Sequence, residues 1–225
     1  MDLELEHHVA LVVGGTGLIG RAVSDALRAE GAVVITAARS SEADIQMDAA
    51  EPTSIDAGIA TVLERHGRLD AVVVTAAPSA RTLDASRNSE PEQVAAAFDA
   101  KSMNFLRVAN AVIPHMREAG YGRIVGLSGQ NAFITGNMTG AIRNAALIIA
   151  AKNLADELAG TGVAVNTVNP GVVTSEPSTE VQPGKAGESS PAQVADIVTF
   201  LLSPRSAISG EAVAVGHRVR GAVSL

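Results

Sequence analysis

Three features of this chain have residue types and spacings that bear on chemistry. The first is the run VALVVGGTGLIGRAV, in which Gly14, Gly17 and Gly20 stand at G-x-x-G-x-x-G spacing between an apolar segment and a helical pattern. Glycine allows a tight turn and lets main-chain N–H groups approach a pyrophosphate, while the helix N-terminus adds partial positive charge. Thr16, Leu18 and Ile19 belong to the same turn and count with the glycines as cofactor-binding residues. The second feature is Arg39, which closes the apolar run ITAARSS. A carboxylate in that region would hold the ribose hydroxyls of NAD; Ala37 and Ala38 fill it instead, and the guanidinium fork of Arg39 suits a 2′-phosphate. NADP(H) is therefore expected ahead of NAD(H). A solvated surface arginine is the commoner case and stands beside that reading. Asp48, in IQMDAAEP, is placed to accept from an adenine amino group or simply to start the next helix.

The third feature is Lys101. Val94, Phe98, Lys101, Phe105, Val108 and Val112 follow the three-four alternation of one inward helical stripe, which the lysine interrupts. Lysines are almost never fully buried unless paired, so a core-facing lysine is a catalytic candidate. The alternative is a stem packed along the helix with its ammonium reaching water. Asn144 shares a face with Leu147, Ile148 and Ala151, either as a catalytic group or as a satisfied buried amide.

The elements that must position these residues alternate along the chain. Apolar runs at Val9–Val13, Val33–Ala37, Ala71–Val74, Ile124–Leu127, Val163–Val168 and Ala212–Val215, with a short one at Ile45–Met47, predict strands. Helical patterns cover Ile19–Glu30, Thr53–His66, Glu92–Ala119, Gly140–Ala159 and Pro191–Leu202. Apolar strands joined by helices imply a doubly wound, mainly parallel α/β sheet covered on both faces. No composition shift divides the chain, so residues 1–225 are expected to form one domain. The Ser, Pro and Gly-rich stretch 171–190 is the expected substrate loop.

Composition excludes several function classes. Net charge is -7 with 2% aromatic residues, which leaves neither a basic field nor stacking rings for nucleic acid. Apolar runs are too short to span a membrane, and the acidic N-terminus is unlike a signal peptide. The absence of cysteine removes thiolate chemistry and fits a cytoplasmic protein. No spacing among the five histidines suggests a metal site.

Taken together, VVGGTGLIG, EGAVVITAARS, MDAAEP, GRLDAVVVTAA, NAVIPHM, GRIVGLSG, LADELAGTGVAVNTVNPGVV and FLLSPRSAISGEAVAV resemble the short-chain dehydrogenase/reductase family, over nearly the whole chain. The resemblance implies a seven-stranded Rossmann sheet, a nicotinamide cofactor as hydride carrier, a small carbonyl or alcohol substrate, and a homodimer or homotetramer. The shortened segment between strands two and three is similar to a compact, divergent branch. The family's Asn-Ala-Gly after strand four is here Thr75, Ala76 and Ala77. Its catalytic Ser matches Gly129, with Ser128 just before; its Tyr matches Gly140, its Lys Asn144, and the Asn of the preceding helix Lys101. The Pro170-Gly171 turn, Val173 and Ser175, with Thr174 adjacent, match the family's last cofactor contacts.

In the family a phenol gives the proton and a nearby ammonium lowers its pKa and holds the nicotinamide ribose. The lone tyrosine, Tyr121, precedes strand five at the sheet end opposite the crevice and is expected to be structural. The exchange of Lys and Asn between positions 101 and 144, which the compact branch also carries, would keep an ammonium in the site. The expected enzyme is an NADP(H)-dependent oxidoreductase with Lys101 as electrophile and proton relay, and Ser128 or Thr139 orienting the carbonyl. A non-redox enzyme on the same scaffold and a non-catalytic NADP(H)-binding protein stand as alternatives. Gln130, Asn131, Thr135 and Asn137 are weaker site candidates. Arg143 is placed to meet an acidic substrate or a subunit interface, and His217, Arg218 and Arg220 either to close the substrate side or to be solvated.

Overall fold

The structure is a computed structural model and describes residues 2–78 and 82–219; Arg220 lies outside them. The strands are β1 (Val9–Val13), β2 (Val33–Ala38), β3 (Ile45–Gln46), β4 (Ala71–Val74), β5 (Gly122–Leu127), β6 (Val163–Pro170) and β7 (Ala212–Val215). The helices are α1 (Leu18–Ala29), α2 (Pro52–His66), α3 (Pro91–Phe98), α4 (Asn104–Ala119), α5 (Met138–Glu157) and α6 (Pro191–Leu202). The strands form one parallel seven-stranded sheet in the order β3-β2-β1-β4-β5-β6-β7. The order reverses between β1 and β4, where Ala10 pairs Ala71 and Val13 pairs Val74, and such a switch point opens a crevice at the carboxyl ends of the strands.

Every residue of β1, β4 and β6 is buried, as continuous apolar strands require when helices cover both faces. On one face Leu11, Val72 and Ile124 pack under α2, α4 and α5, with Phe105, Val112 and Leu147 at the centre. On the other, Val12, Val73 and Val168 pack with Val23 and Leu27 of α1 and Val198 and Leu202 of α6. Phe105 is fully buried, and its truncation to alanine would cost roughly 3–5 kcal/mol. Local signals set the helix starts: Pro52 and Pro191 occupy first turns, and Ser190 with Gln193 forms a capping box on α6.

The one expected element that changes character is the long helix over Glu92–Ala119. It is divided into α3 and α4 by a π-helical turn at Asp99–Met103, with Lys101 in the middle. Each residue of such a turn rotates the following face relative to an α-helix, which re-aims the inward stripe. Val94 and Phe98 are consequently half-buried, whereas Phe105, Val108 and Val112 are fully buried. Strands β5 and β6 each run two residues beyond their expected bounds, β6 as far as Pro170 at the crevice.

Candidate active site

The crevice has a volume of about 1370 Å³ and is walled by the ends of β1, β4, β5 and β6. The glycine turn forms its floor. Gly14 takes a left-handed φ of 89°, and a Cβ there would fall 2.5 Å from the Thr75 hydroxyl oxygen. A Cβ on Gly20 would fall 2.2 Å from the Gly14 carbonyl oxygen, so helix α1 meets the turn at backbone contact. Thr75 donates its hydroxyl to the Val13 and Gly14 carbonyls, tying β4 to the turn. Gly17 caps α1 without a side-chain hydrogen bond, and no acidic residue stands in the first helical turn. These open N–H groups and the absence of side chains fit a pyrophosphate. Arg39 is exposed at the rim with no ion-pair partner among the described residues. Asp48 also lines the crevice, but its Oδ1 accepts from the Ala50 N–H at 3.0 Å, the helix-entry role.

Lys101 faces this crevice from the π turn. It is 9% exposed, and its Nζ donates to the Ser128 carbonyl at 3.1 Å. Burial, reinforced by the nearby Arg143 guanidinium, pushes its pKa down to about 7. Ser102, next along the turn, donates to the Arg143 carbonyl at 2.7 Å and so fastens the turn to α5. Arg143 is itself buried: one terminal nitrogen donates to the Pro78 carbonyl at 3.1 Å, while its Nε has no partner. Burial makes the Arg143 guanidinium a weaker base than usual. Asn144 is buried with its Oδ1 unpartnered, and its Nδ2 lies 3.1 Å from where a Cβ on Gly129 would stand.

The fold thus brings Gly14, Thr16, Gly17, Leu18, Ile19, Gly20, Arg39, Asp48, Thr75, Ala76, Ala77, Lys101, Ser128, Asn144, Pro170, Gly171 and Val173 to one crevice. Two of the catalytic and cofactor candidates, Thr139 and Ser175, are outside its lining, as are the weaker candidates Gln130 and Thr135. Thr139 has no exposed surface, and its hydroxyl donates to the Asn88 carbonyl at 2.6 Å, because the first turn of α5 directs it toward that loop. Ser175 lies beyond the point where Val173 bridges to Ser189, and the loop has already turned away. Ser128 lines the crevice, but its hydroxyl is spent on the Asn144 carbonyl at 2.9 Å, so it is not free to orient a ligand. Asn137 does line the crevice and was the less obvious candidate; its place three residues before Gly140 is the sequence signal of a helix cap.

Loop 171–190 runs along the crevice and is held at its base. Ser189 donates its N–H to the Val172 carbonyl, and the Gly187 N–H bonds the His217 carbonyl at 2.8 Å. Gln130 donates to the Val215 carbonyl at 3.0 Å, joining the exit of β7 to the crevice wall. Arg218 is exposed and turns back onto Ala212, away from the crevice, which favours the solvated alternative over closure of the substrate side. Tyr121 is half-buried at the opposite end of the sheet, its ring under the Arg123 guanidinium at 4.5 Å and its hydroxyl 3.4 Å from the Leu202 carbonyl. Among the described residues no three acidic or histidine side chains converge as a metal site, and no helix is long and apolar enough to cross a membrane.

Residues 15–217 match the family model described as enoyl-(acyl carrier protein) reductase. The chain belongs to the short-chain dehydrogenase/reductase family. It is 27% identical to a 3-oxoacyl-[acyl-carrier-protein] reductase, FabG, of Vibrio cholerae, over 95% of this chain and 97% of that one. It is 29% identical to the D-threitol dehydrogenase of Mycolicibacterium smegmatis, over 92% of this chain and 90% of that one. The crystal structure of gox2181 superimposes with a TM-score of 0.80 at 25% identity, covering 95% of this chain and 96% of that one. The family is one of oxidoreductases with a nicotinamide cofactor. At Gly140, the position expected to match the family's tyrosine, a Cβ would fall 2.7 Å from the Asn137 amide, which caps α5 by accepting the Gly140 N–H at 2.9 Å.

Proposed function

We propose that the chain is an NADP(H)-dependent oxidoreductase that interconverts a small carbonyl compound and its alcohol, with Lys101 as the proton donor and acceptor. The observation that carries this reading is a buried lysine at the crevice with no carboxylate partner among the described residues, its pKa pushed down to about 7 by burial. A catalytic acid is most effective when its pKa lies near working pH, and positioned proton transfer contributes about 10²–10⁴ in rate. The glycine turn would hold the pyrophosphate, Arg39 the 2′-phosphate, and Thr75, Ala76 and Ala77 the ribose and nicotinamide end. A reduced nicotinamide held by these residues would supply hydride chemistry to the carbonyl carbon. Lys101 gives the carbonyl oxygen one proton and regains one from water; in the oxidative direction neutral Lys101 takes the alcohol proton. Asn144 offers an unpartnered acceptor in the same wall.

Loop 171–190 is the substrate loop in this reading, since Val172, Val173, Glu180, Lys185 and Glu188 line the crevice opposite α5. Self-association would use α5, which leaves Met138, Ile142 and Ile149 exposed along one face. The decisive experiment mixes the protein with NADPH and a broad carbonyl panel while binding is followed by cofactor fluorescence. Tight NADPH binding without oxidation by any member of the panel would refute the redox reading. Turnover that falls by about 10²–10⁴ in Lys101→Met, with NADPH binding retained, is the expected result.

A further inference from the structure

The crevice contains two buried cations, Lys101 and Arg143, neither of which has an ion-pair partner among the described residues. Arg143 is 4% exposed, and it is the more unusual of the two, because a guanidinium presents five N–H donors and is rarely buried without a carboxylate. One of its terminal nitrogens meets the Pro78 carbonyl, and its Nε meets nothing. No ion pair involves Arg143 or Lys101 among the described residues, and the two lie close enough to repel each other.

Of the acidic side chains that line the same crevice, three are bound to other groups and the fourth is exposed. Asp99 pairs with Arg107 at 2.7 Å, Asp48 accepts from the Ala50 N–H, and Glu188 accepts from the Ser178 N–H at 2.9 Å. Glu180 is an exposed residue of the loop. Across the whole chain the charge is -7, so the burial of Lys101 and Arg143 is a local feature of the crevice and not part of a basic surface. The phosphate-binding features expected for a dinucleotide, the glycine turn and Arg39, stand on β1, α1 and the end of β2. Arg143 reaches from α5 to the main chain after β4.

We infer that the substrate carries a carboxylate, which Arg143 binds, so that the site takes oxo acids and the corresponding hydroxy acids in preference to neutral carbonyl compounds. The guanidinium fork matches a carboxylate in two parallel hydrogen bonds, and the charge also balances Lys101. Arg143 then fixes the acid end while Lys101 addresses the carbonyl oxygen. This assignment of substrate class rests on the redox reading for the turnover it implies, but carboxylate binding itself does not.

The test uses pyruvate, acetoacetate and levulinate, in which carbonyl and carboxylate are progressively separated, with the methyl ester of each. Binding to the NADP-loaded protein is read by calorimetry, and NADPH oxidation is read separately. At least one acid is expected to bind and react more tightly than its ester by about tenfold or more, and Arg143→Gln to raise the Kd and KM of that acid by a similar factor, with partial rescue in Arg143→Lys. The Kd for NADPH should stay within about twofold in both variants, which also shows that they fold. Equal binding and turnover of acid and ester by the unaltered protein would overturn the inference while leaving the redox reading intact. Acid binding that depends on Arg143 without NADPH oxidation would uphold the carboxylate site and overturn the redox reading. Loss of NADPH affinity in Arg143→Gln with acid binding unchanged would assign Arg143 to the cofactor and overturn the inference.

Discussion

Lys101→Met should change how the stability of the fold depends on pH, in a direction set by the burial of the ammonium. The folded chain holds this group at about 7 against 10.5 for a free lysine. Between these values the unfolded chain binds a proton that the folded chain does not, so stability rises with pH. The cost of burying the charge is fully present below about pH 7, shrinks as pH climbs, and is gone above about 10.5. From about pH 7 to about pH 9 the unaltered protein should gain roughly 2 kcal/mol from this group alone, half or less of the whole effect. Methionine has similar length and no proton to exchange, so the variant lacks this gain, and it should be the more stable protein at neutral pH. With one tyrosine and no tryptophan, urea unfolding is best followed by far-UV circular dichroism. At an m-value of about 2 kcal/mol/M the midpoint of the unaltered protein should move up by roughly 1 M relative to the variant over that interval. Subtracting the two curves cancels histidines and the terminus, and there is no cysteine to contribute. Parallel curves would mean that the ammonium is solvated, and the reasoning from burial would fail.

The same titration fixes the sign of the rate profile: carbonyl reduction, which needs the protonated lysine, should fall about tenfold per pH unit above about 7, while alcohol oxidation should rise through that pH and level off; kcat/KM against pH checks both. Arg39→Ala should weaken NADPH by about 10–100-fold and leave NADH nearly unchanged, as measured by fluorescence titration, because a charge-assisted pair to the 2′-phosphate is worth about 1.5–3 kcal/mol. Gly20→Ala sets a methyl 2.2 Å from the Gly14 carbonyl oxygen, so the turn must open and NADPH affinity should fall by more than about tenfold in the same assay. Gly140→Tyr should not raise turnover, and should lower the midpoint of thermal unfolding, since its Cβ displaces the Asn137 cap worth about 1 kcal/mol.

Much of the fold was legible because parallel strands buried on both faces read as unbroken apolar runs; the bounds of β1 and β4 coincide with Val9–Val13 and Ala71–Val74. The glycine turn was legible for a similar reason, since few positions tolerate a carbonyl 2.2 Å from a would-be Cβ. Lys101 announced itself by interrupting an apolar stripe. What no pattern disclosed is the π turn around it, because a one-residue slip of the hydrogen-bond ladder leaves composition and approximate spacing unchanged. Thr139 and Ser128 show the same limit from the other side. Each hydroxyl lies near the sequence position of a family active-site group, yet each is claimed by a main-chain carbonyl that only the folded chain brings near. That Arg143 has no counter-ion among the described residues was equally hidden, since that is a property of the whole crevice and not of the residues around it in sequence.

The departures from the family's usual residues are coupled by packing. A side chain at position 129 would press on the Asn144 amide at 3.1 Å, and one at 140 would press on the Asn137 amide at 2.7 Å. Asn144 therefore fits beside Gly129, and Gly140 beside the capping Asn137. Removing Lys101 alone, with Asn144 in place, would leave Arg143 as the nearest cation, and it is already committed to the Pro78 carbonyl. Reinstating a side chain at 129 or 140 alone would thus meet a steric penalty. The ammonium enters from the π turn between α3 and α4, and its main-chain acceptor, the Ser128 carbonyl, lies one residue before Gly129. The close contacts at 129 and 140, together with the Lys101 ammonium facing the crevice, support the proposed reading of a rearranged proton-transfer site over decay of an original one.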